Sequence, residues 1–216
     1  MSMPQLSTAE KITIDEYLRL EREAEHRSEF LDGEIIAMAG ESSAHGEITV
    51  NLVGVLHAQL KGKRCRARTK DTKVRSGPNR PHGSGTKGLF SYPDALVICD
   101  DIIFHDEHRD VVLNPTAVIE VLSPSTEAFD RGQKFIRLRD WNPTLMDYVL
   151  ISQAEPRIEV FHREDDSTWS LKSFAGLDAS ALLTAVDCVL PLAEIYDRVE
   201  FPPADDGTDS GTTEDV

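Results

Sequence analysis

"YPDALVICD" (residues 92–100) and "PTAVIEVLSPST" (residues 115–126) decide the reading of this chain. Each predicts a short buried strand, and each carries one carboxylate where a strand should be apolar. Asp94 precedes Ala95-Leu96-Val97-Ile98, and Glu120 sits inside Ala117-Val118-Ile119-Glu120-Val121-Leu122. Ionised carboxylates are almost never fully buried unless paired or bound to a metal. Two of them on neighbouring strands could converge at one sheet edge. Held close, they would raise each other's pKa unless a cation neutralised them. Mg²⁺ or Mn²⁺ suits such an oxygen site and keeps several waters, one of which can attack a phosphate.

Working outward, Thr13-Ile14-Asp15-Glu16 reads as a capping box opening a helix to about His26. Asp32-Gly33 favours a type I′ turn, giving a hairpin of Glu29–Leu31 and Glu34–Met38. Ile48, Leu52, Val55, Leu56 and Leu60 recur near helical period, with Gly62 as a stop. "CRARTKDTKVR" alternates and predicts one strand. "SGPNRPHGSGTKGLF" predicts a long flexible loop. "EAFDRGQKFIRLRDW" predicts a helix with Phe129, Ile136 and Trp141 among its buried positions. "LMDYVLIS", "RIEVFHR" and "TWSLKSF" predict a β-meander, and Pro191 starts a short closing helix. The fold class is α/β with a mixed sheet, and the middle of the chain runs α-β-β-β-α-β.

The 216 residues suit one domain, with residues 1–11 as a flexible N-terminus and 201–216 as a disordered acidic tail. No apolar run approaches the roughly 18 residues that span a membrane, and the first residues lack a signal-peptide pattern. Cys65, Cys99 and Cys188 are odd in number and far apart, which predicts reduced thiols in a cytoplasmic protein. The net charge is −15, and five of those charges lie in the tail. A polyanionic partner must overcome that repulsion through clustered basic residues or a bridging cation. The chain has no GxSxG elbow, P-loop or dinucleotide fingerprint.

The hairpin "SEFLDGEIIAM" followed by His45, the "YPDALVICD" strand and "VIEVLSPSTEAFDRGQKF" together resemble the Uma2 (DUF820) family, within the PD-(D/E)xK restriction-endonuclease-like superfamily. The resemblance covers about residues 12–200. It implies an endonuclease-like core and metal-dependent phosphodiester cleavage, with DNA as the expected substrate and RNA an open alternative. By matching positions, Asp94 and Glu120 are the two acids, and the Val121 carbonyl is a further metal ligand. The strand lysine of the superfamily is absent, since Val121 and Leu122 occupy its place; the Uma2 pattern supplies it from the next helix as Lys134. Leu138 stands where the family often has tyrosine.

Four further residues are candidates for supporting roles, each with a plainer alternative. Glu34 could sit beside the metal or be surface charge. His45 could serve the site or be a structural histidine. Ser123 could bind phosphate or cap the next helix. Asp130 could serve the site or make only an ordinary i,i+4 pair with Lys134. Glu120 itself could be a structural ion pair with Lys134 or Arg137. A catalytically silent binding module on the same fold is the rival reading. A homodimer is expected, because the apolar meander strands need covering and two sites suit a duplex.

Overall fold

The computed structural model describes residues 11–38, 40–78 and 85–201. The tail from residue 202, the first ten residues and the centre of the Gly/Pro loop lie outside the described residues, and so do the expectations of disorder placed on them.

Helix α1 (Ile14–Glu23) starts where the Thr13 hydroxyl accepts the Glu16 amide at 3.2 Å. The reciprocal half of the capping box is not made, because the Glu16 carboxylate turns to Arg19. Strands β1 (Ser28–Leu31) and β2 (Glu34–Ala37) form the expected hairpin. Asp32 at φ +50° and Gly33 at φ +96° match a type I′ turn, and a Cβ on Gly33 would come within 2.8 Å of Lys11 Cβ. Helix α2 (Ser43–Leu60) is capped by Ser42 and buries Ile48, Leu52, Leu56 and Leu60.

The stretch expected to form one strand is two. Strand β3 (Cys65–Thr69) and strand β4 (Lys73–Ser76) belong to different sheets. Between them the Thr72 amide closes a turn on the Thr69 carbonyl at 3.0 Å. Alternation continues through that turn, so periodicity alone could not reveal it. Strand β5 (Leu89–Ser91) occupies the end of the expected loop. Then follow β6 (Ala95–Cys99), β7 (Val111–Val112) and β8 (Ala117–Leu122).

The helical connection after β8 is interrupted. A short α3 (Glu127–Phe129) passes through a π-turn, Asp130–Lys134, into α4 (Phe135–Trp141). The wider π-turn shifts the phase of the apolar stripe. Ile136 and Trp141 are therefore exposed and Phe129 only half-buried, contrary to expectation, while Phe135 and Leu138 are buried. Strands β9 (Asp147–Ser152), β10 (Arg157–Arg163) and β11 (Trp169–Ala175) make the meander. An additional hairpin, β12 (Ser180–Leu183) and β13 (Cys188–Pro191), leads into α5 (Leu192–Ile195).

Six strands form the main sheet in the order β11-β10-β9-β8-β6-β3, with β8 and β9 parallel and the other pairs antiparallel. The sequence α2-β3-β6-β8-α3/α4-β9 is the anticipated α-β-β-β-α-β core. A five-stranded sheet, β2-β1-β5-β4-β7, stands beside it and packs on α1 through Tyr17, Phe30 and Phe90. Alternation divides the main sheet cleanly. Ala95, Val97, Ile119 and Val121 join α2 in one core, whereas Leu96, Ile98, Val118 and Leu122 join Phe135 and Leu138 in the other.

The cysteines depart from expectation. Cys65 and Cys99 face each other directly in the β3–β6 register and form a disulfide, leaving Cys188 as the buried free thiol. Their 34-residue separation hid a pairing that strand register creates.

Candidate active site

Strands β6 and β8 bring the two singled-out acids together. Ala95 pairs with Ile119, and the same register continued by one residue sets Asp94 beside Glu120. Asp94 lies on the bend just before β6. Its Oδ2 accepts the Val121 amide at 2.7 Å, and its Oδ1 lies 2.7 Å from His45 Nε2, near the start of α2. Burial opposes a charged imidazolium at His45, but the Asp94 hydrogen bond and charge, with the nearby Glu41 charge, lift its pKa overall.

Glu120 belongs to the same alternating face as Val118 and Leu122, so it points toward the α3–α4 connection. There Lys134 meets it, Nζ lying 3.0 Å from Oε1. The contact is close, yet Oε1 receives no aligned hydrogen bond. Lys134 Nζ also lies 3.3 Å from Glu29 Oε1 and 3.4 Å from Asp130 Oδ1. Glu120 is 3% exposed and Lys134 4%. Burial drives the Glu120 carboxyl well above its usual range, against the pull of Lys134. For Lys134 burial favours loss of the proton, but Glu120, Glu29 and Asp130 outweigh it and hold the ammonium well above its ordinary pKa. The lysine is therefore a buried cation enclosed by three carboxylates.

The π-turn explains how a helix delivers it. Asp130 and Lys134 are its first and last residues and both are buried, while the Asp130 carbonyl accepts Tyr148 Oη at 2.8 Å from β9. Asp130 thus has a buried, tertiary setting beyond an ordinary surface i,i+4 pair.

The remaining candidates fall elsewhere. Glu34 is exposed on β2, opposite Leu31, and makes none of the cluster's contacts. Ser123 is engaged locally with Ser125 Oγ at 3.0 Å and Thr126 Oγ1 at 2.9 Å, the turn-forming alternative. Leu138 is a core residue. Arg137 is bound to Asp32 rather than to Glu120. The hairpin acid that reaches the cluster is Glu29, which also accepts the Tyr92 amide at 3.1 Å. Sequence reasoning passed over it. The available signal was alternation: with Phe30 inside one core, Glu29 must face the other way, and a second layer there would bury it.

With Asp94 just before β6 and Glu120 inside β8, the chain is a mixed α/β domain whose fold resembles endonuclease-like proteins. The chain belongs to the Uma2 family, described as "Putative restriction endonuclease", whose model matches residues 14–193. It is 34% identical over 168 residues to the uncharacterized protein slr1290 of Synechocystis sp. (strain PCC 6803), covering 78% of this chain and 83% of that one. It is 33% identical over 174 residues to the uncharacterized protein sll1609 of the same organism, covering 81% and 93%. The fold is similar to a crystal structure of "a putative nuclease belonging to DUF820 from Anabaena variabilis ATCC 29413", with TM-score 0.66 and 21% identity over 86% of this chain and 97% of that one. No helix among the described residues is long and apolar enough to cross a membrane.

Proposed function

We propose that the protein is a Mg²⁺- or Mn²⁺-dependent endonuclease hydrolysing phosphodiester bonds in DNA. The observation that carries this reading is that the β6–β8 register sets Asp94 beside Glu120, with the helix-borne Lys134 against Glu120. Among the described residues no group of three or more His, Cys, Asp or Glu side chains is arranged to hold a metal. The ion in this reading is a hard cation that would take two carboxylates and keep several waters. Two features support that choice: the donors are oxygens, and Glu120 Oε1 is a buried acceptor without an aligned hydrogen bond. Asp94 and Glu120 would hold the cation, with the Val121 carbonyl as a further ligand. When bound, such an ion lowers the pKa of a coordinated water and stabilises charge developing on phosphate.

The chain's own groups have distinct tasks in this reading. The Val121 amide and His45 fix the Asp94 carboxylate. Lys134 supplies a counter-charge 3.0 Å from Glu120, and it is the cation nearest to where water or phosphate must be oriented. A two-fold dimer would present two such sites to a duplex.

One observation favours the silent binding module instead: the Lys134 cluster is almost closed to solvent. Incubation of plasmid, single-stranded DNA and RNA with Mg²⁺, Mn²⁺ or chelator separates the two. Nicking of DNA that needs metal and disappears in Glu120→Gln supports the nuclease. A wild type that cleaves none of these nucleic acids with either metal removes it.

A further inference from the structure

We infer that β3 is a phosphate track, on which the backbone of one nucleic acid strand is led to the Asp94–Glu120 end of the sheet. The inference rests on the nuclease reading only for its destination. The protein is strongly acidic, so a polyanion needs a local landing place. Residues 61–70, "KGKRCRARTK", hold six of the chain's 23 Lys and Arg residues. Strand β3 runs through the middle of them as an edge of the main sheet.

Alternation sorts these cations. Cys65 and Ala67 pack into the α2 core, so Arg66 and Arg68 project from the opposite face. Both are exposed, and among the described residues neither has a carboxylate partner; Arg66 Nη2 touches only the Asp100 carbonyl, at 3.4 Å. Arg64 and Lys70 extend the row at either end, in exposed pairs with Asp100 and Glu41. Such pairs are weak and can be exchanged for phosphate. Alternate residues of a strand are about 6.7 Å apart, a spacing comparable to that of successive phosphates along one extended nucleic acid strand.

The row is aimed at the acids. Arg66 pairs with Ile98, Arg68 with Leu96 and Thr69 with Ala95, so the next step brings Lys70 beside Asp94. Lys70 Nζ pairs with Glu41 Oε2 at 2.7 Å. Its partner Glu41 directly precedes Ser42, the cap of the helix carrying His45. Arg27 lies at the same end, over the Tyr92 ring and 3.3 Å from the Lys70 carbonyl, in an exposed ion pair with Asp71.

The test is anisotropy of a labelled single-stranded DNA oligonucleotide against the full chain, with and without Mg²⁺, over a salt series. Arg66→Glu and Arg68→Glu should each weaken binding severalfold, for all sequences alike. Each should also flatten the salt slope by about 0.7 per lost phosphate contact. Lys172→Glu makes the same charge change on exposed β11, at the other edge of the sheet, and should bind as wild type. Equal weakening in all three variants, or no binding by wild type in either condition, overturns the track. Thermal melting of each variant, expected unchanged for exposed side chains, keeps a folding defect from passing as lost binding. The two readings fail separately. Stripe-dependent binding without cleavage sinks the nuclease and keeps the track, whereas cleavage with stripe-independent binding does the reverse.

Discussion

Lys134 meets Glu120 from a π-turn, Nζ to Oε1 at 3.0 Å, with Glu29 and Asp130 completing the enclosure of its charge. A helix lysine is ordinarily a solvated residue whose loss costs under about 0.5 kcal/mol. Here removal leaves three carboxylates facing a buried space with no cation. Breaking a buried ion pair from one side typically costs about 3–5 kcal/mol. We expect Lys134→Ala to lose stability in that range by urea denaturation, along with cleavage activity. The double variant Lys134→Met/Glu120→Gln should recover part of the loss. An unchanged midpoint in Lys134→Ala would refute the enclosure.

Asp94→Asn should separate binding from folding. Asparagine keeps an oxygen for the Val121 amide, so the expected stability cost is that of one altered hydrogen bond, about 1 kcal/mol. Mn²⁺ binding by calorimetry should vanish together with cleavage. Retained Mn²⁺ affinity would remove Asp94 from the ligands.

These two residues show which parts of the site were legible in the sequence. Asp94 and Glu120 stand out because each interrupts or abuts an apolar run, where a carboxylate needs a reason. Glu29 has polar and charged residues before it, and its burial depends on a second sheet that no local pattern announces. The core order could be read from strand and helix periods. The split between β3 and β4 could not, because side-chain alternation persists across the turn. The inward-facing positions of the helix after β8 were misassigned because a π-turn breaks the 3.6-residue phase on which the expectation rested.

That phase shift has a measurable consequence. Leu138 is fully buried in the core beneath the main sheet, whereas Trp141 is 46% exposed. Leu138→Ala should cost about 2–5 kcal/mol, and Trp141→Ser under about 0.5 kcal/mol. A helix of regular period would give Trp141 the larger effect, so denaturation midpoints decide between the two.

The disulfide makes a simple count. Denatured without reductant, the protein should expose one thiol to a chromogenic reagent, Cys188; after reduction it should expose three. Closing a loop of 34 residues' separation contributes about 3–4 kcal/mol on a chain-entropy account, so Cys65→Ser/Cys99→Ser should melt several degrees lower. Three thiols before reduction would show that the bridge does not form.

Asp147 gives the pH test, away from the candidate metal ligands. Its carboxylate is fully buried at the start of β9, bonded to His162 Nδ1 at 2.6 Å and to the Ala185 amide at 3.3 Å. Burial raises its pKa above the ordinary 3.8, although His162 and the amide pull the other way. A carboxyl whose pKa is raised on folding binds more protons folded than unfolded between the two values. Its stabilising contribution is therefore complete below 3.8 and declines as the pH rises through the raised value. Asp147→Asn cannot titrate. The melting temperature of wild type minus that of Asp147→Asn should fall as the pH is taken from below 3.8 to neutrality, then level off. A difference that grows with pH would mean that His162 holds the carboxylate more strongly than burial opposes it, reversing the sign argued here.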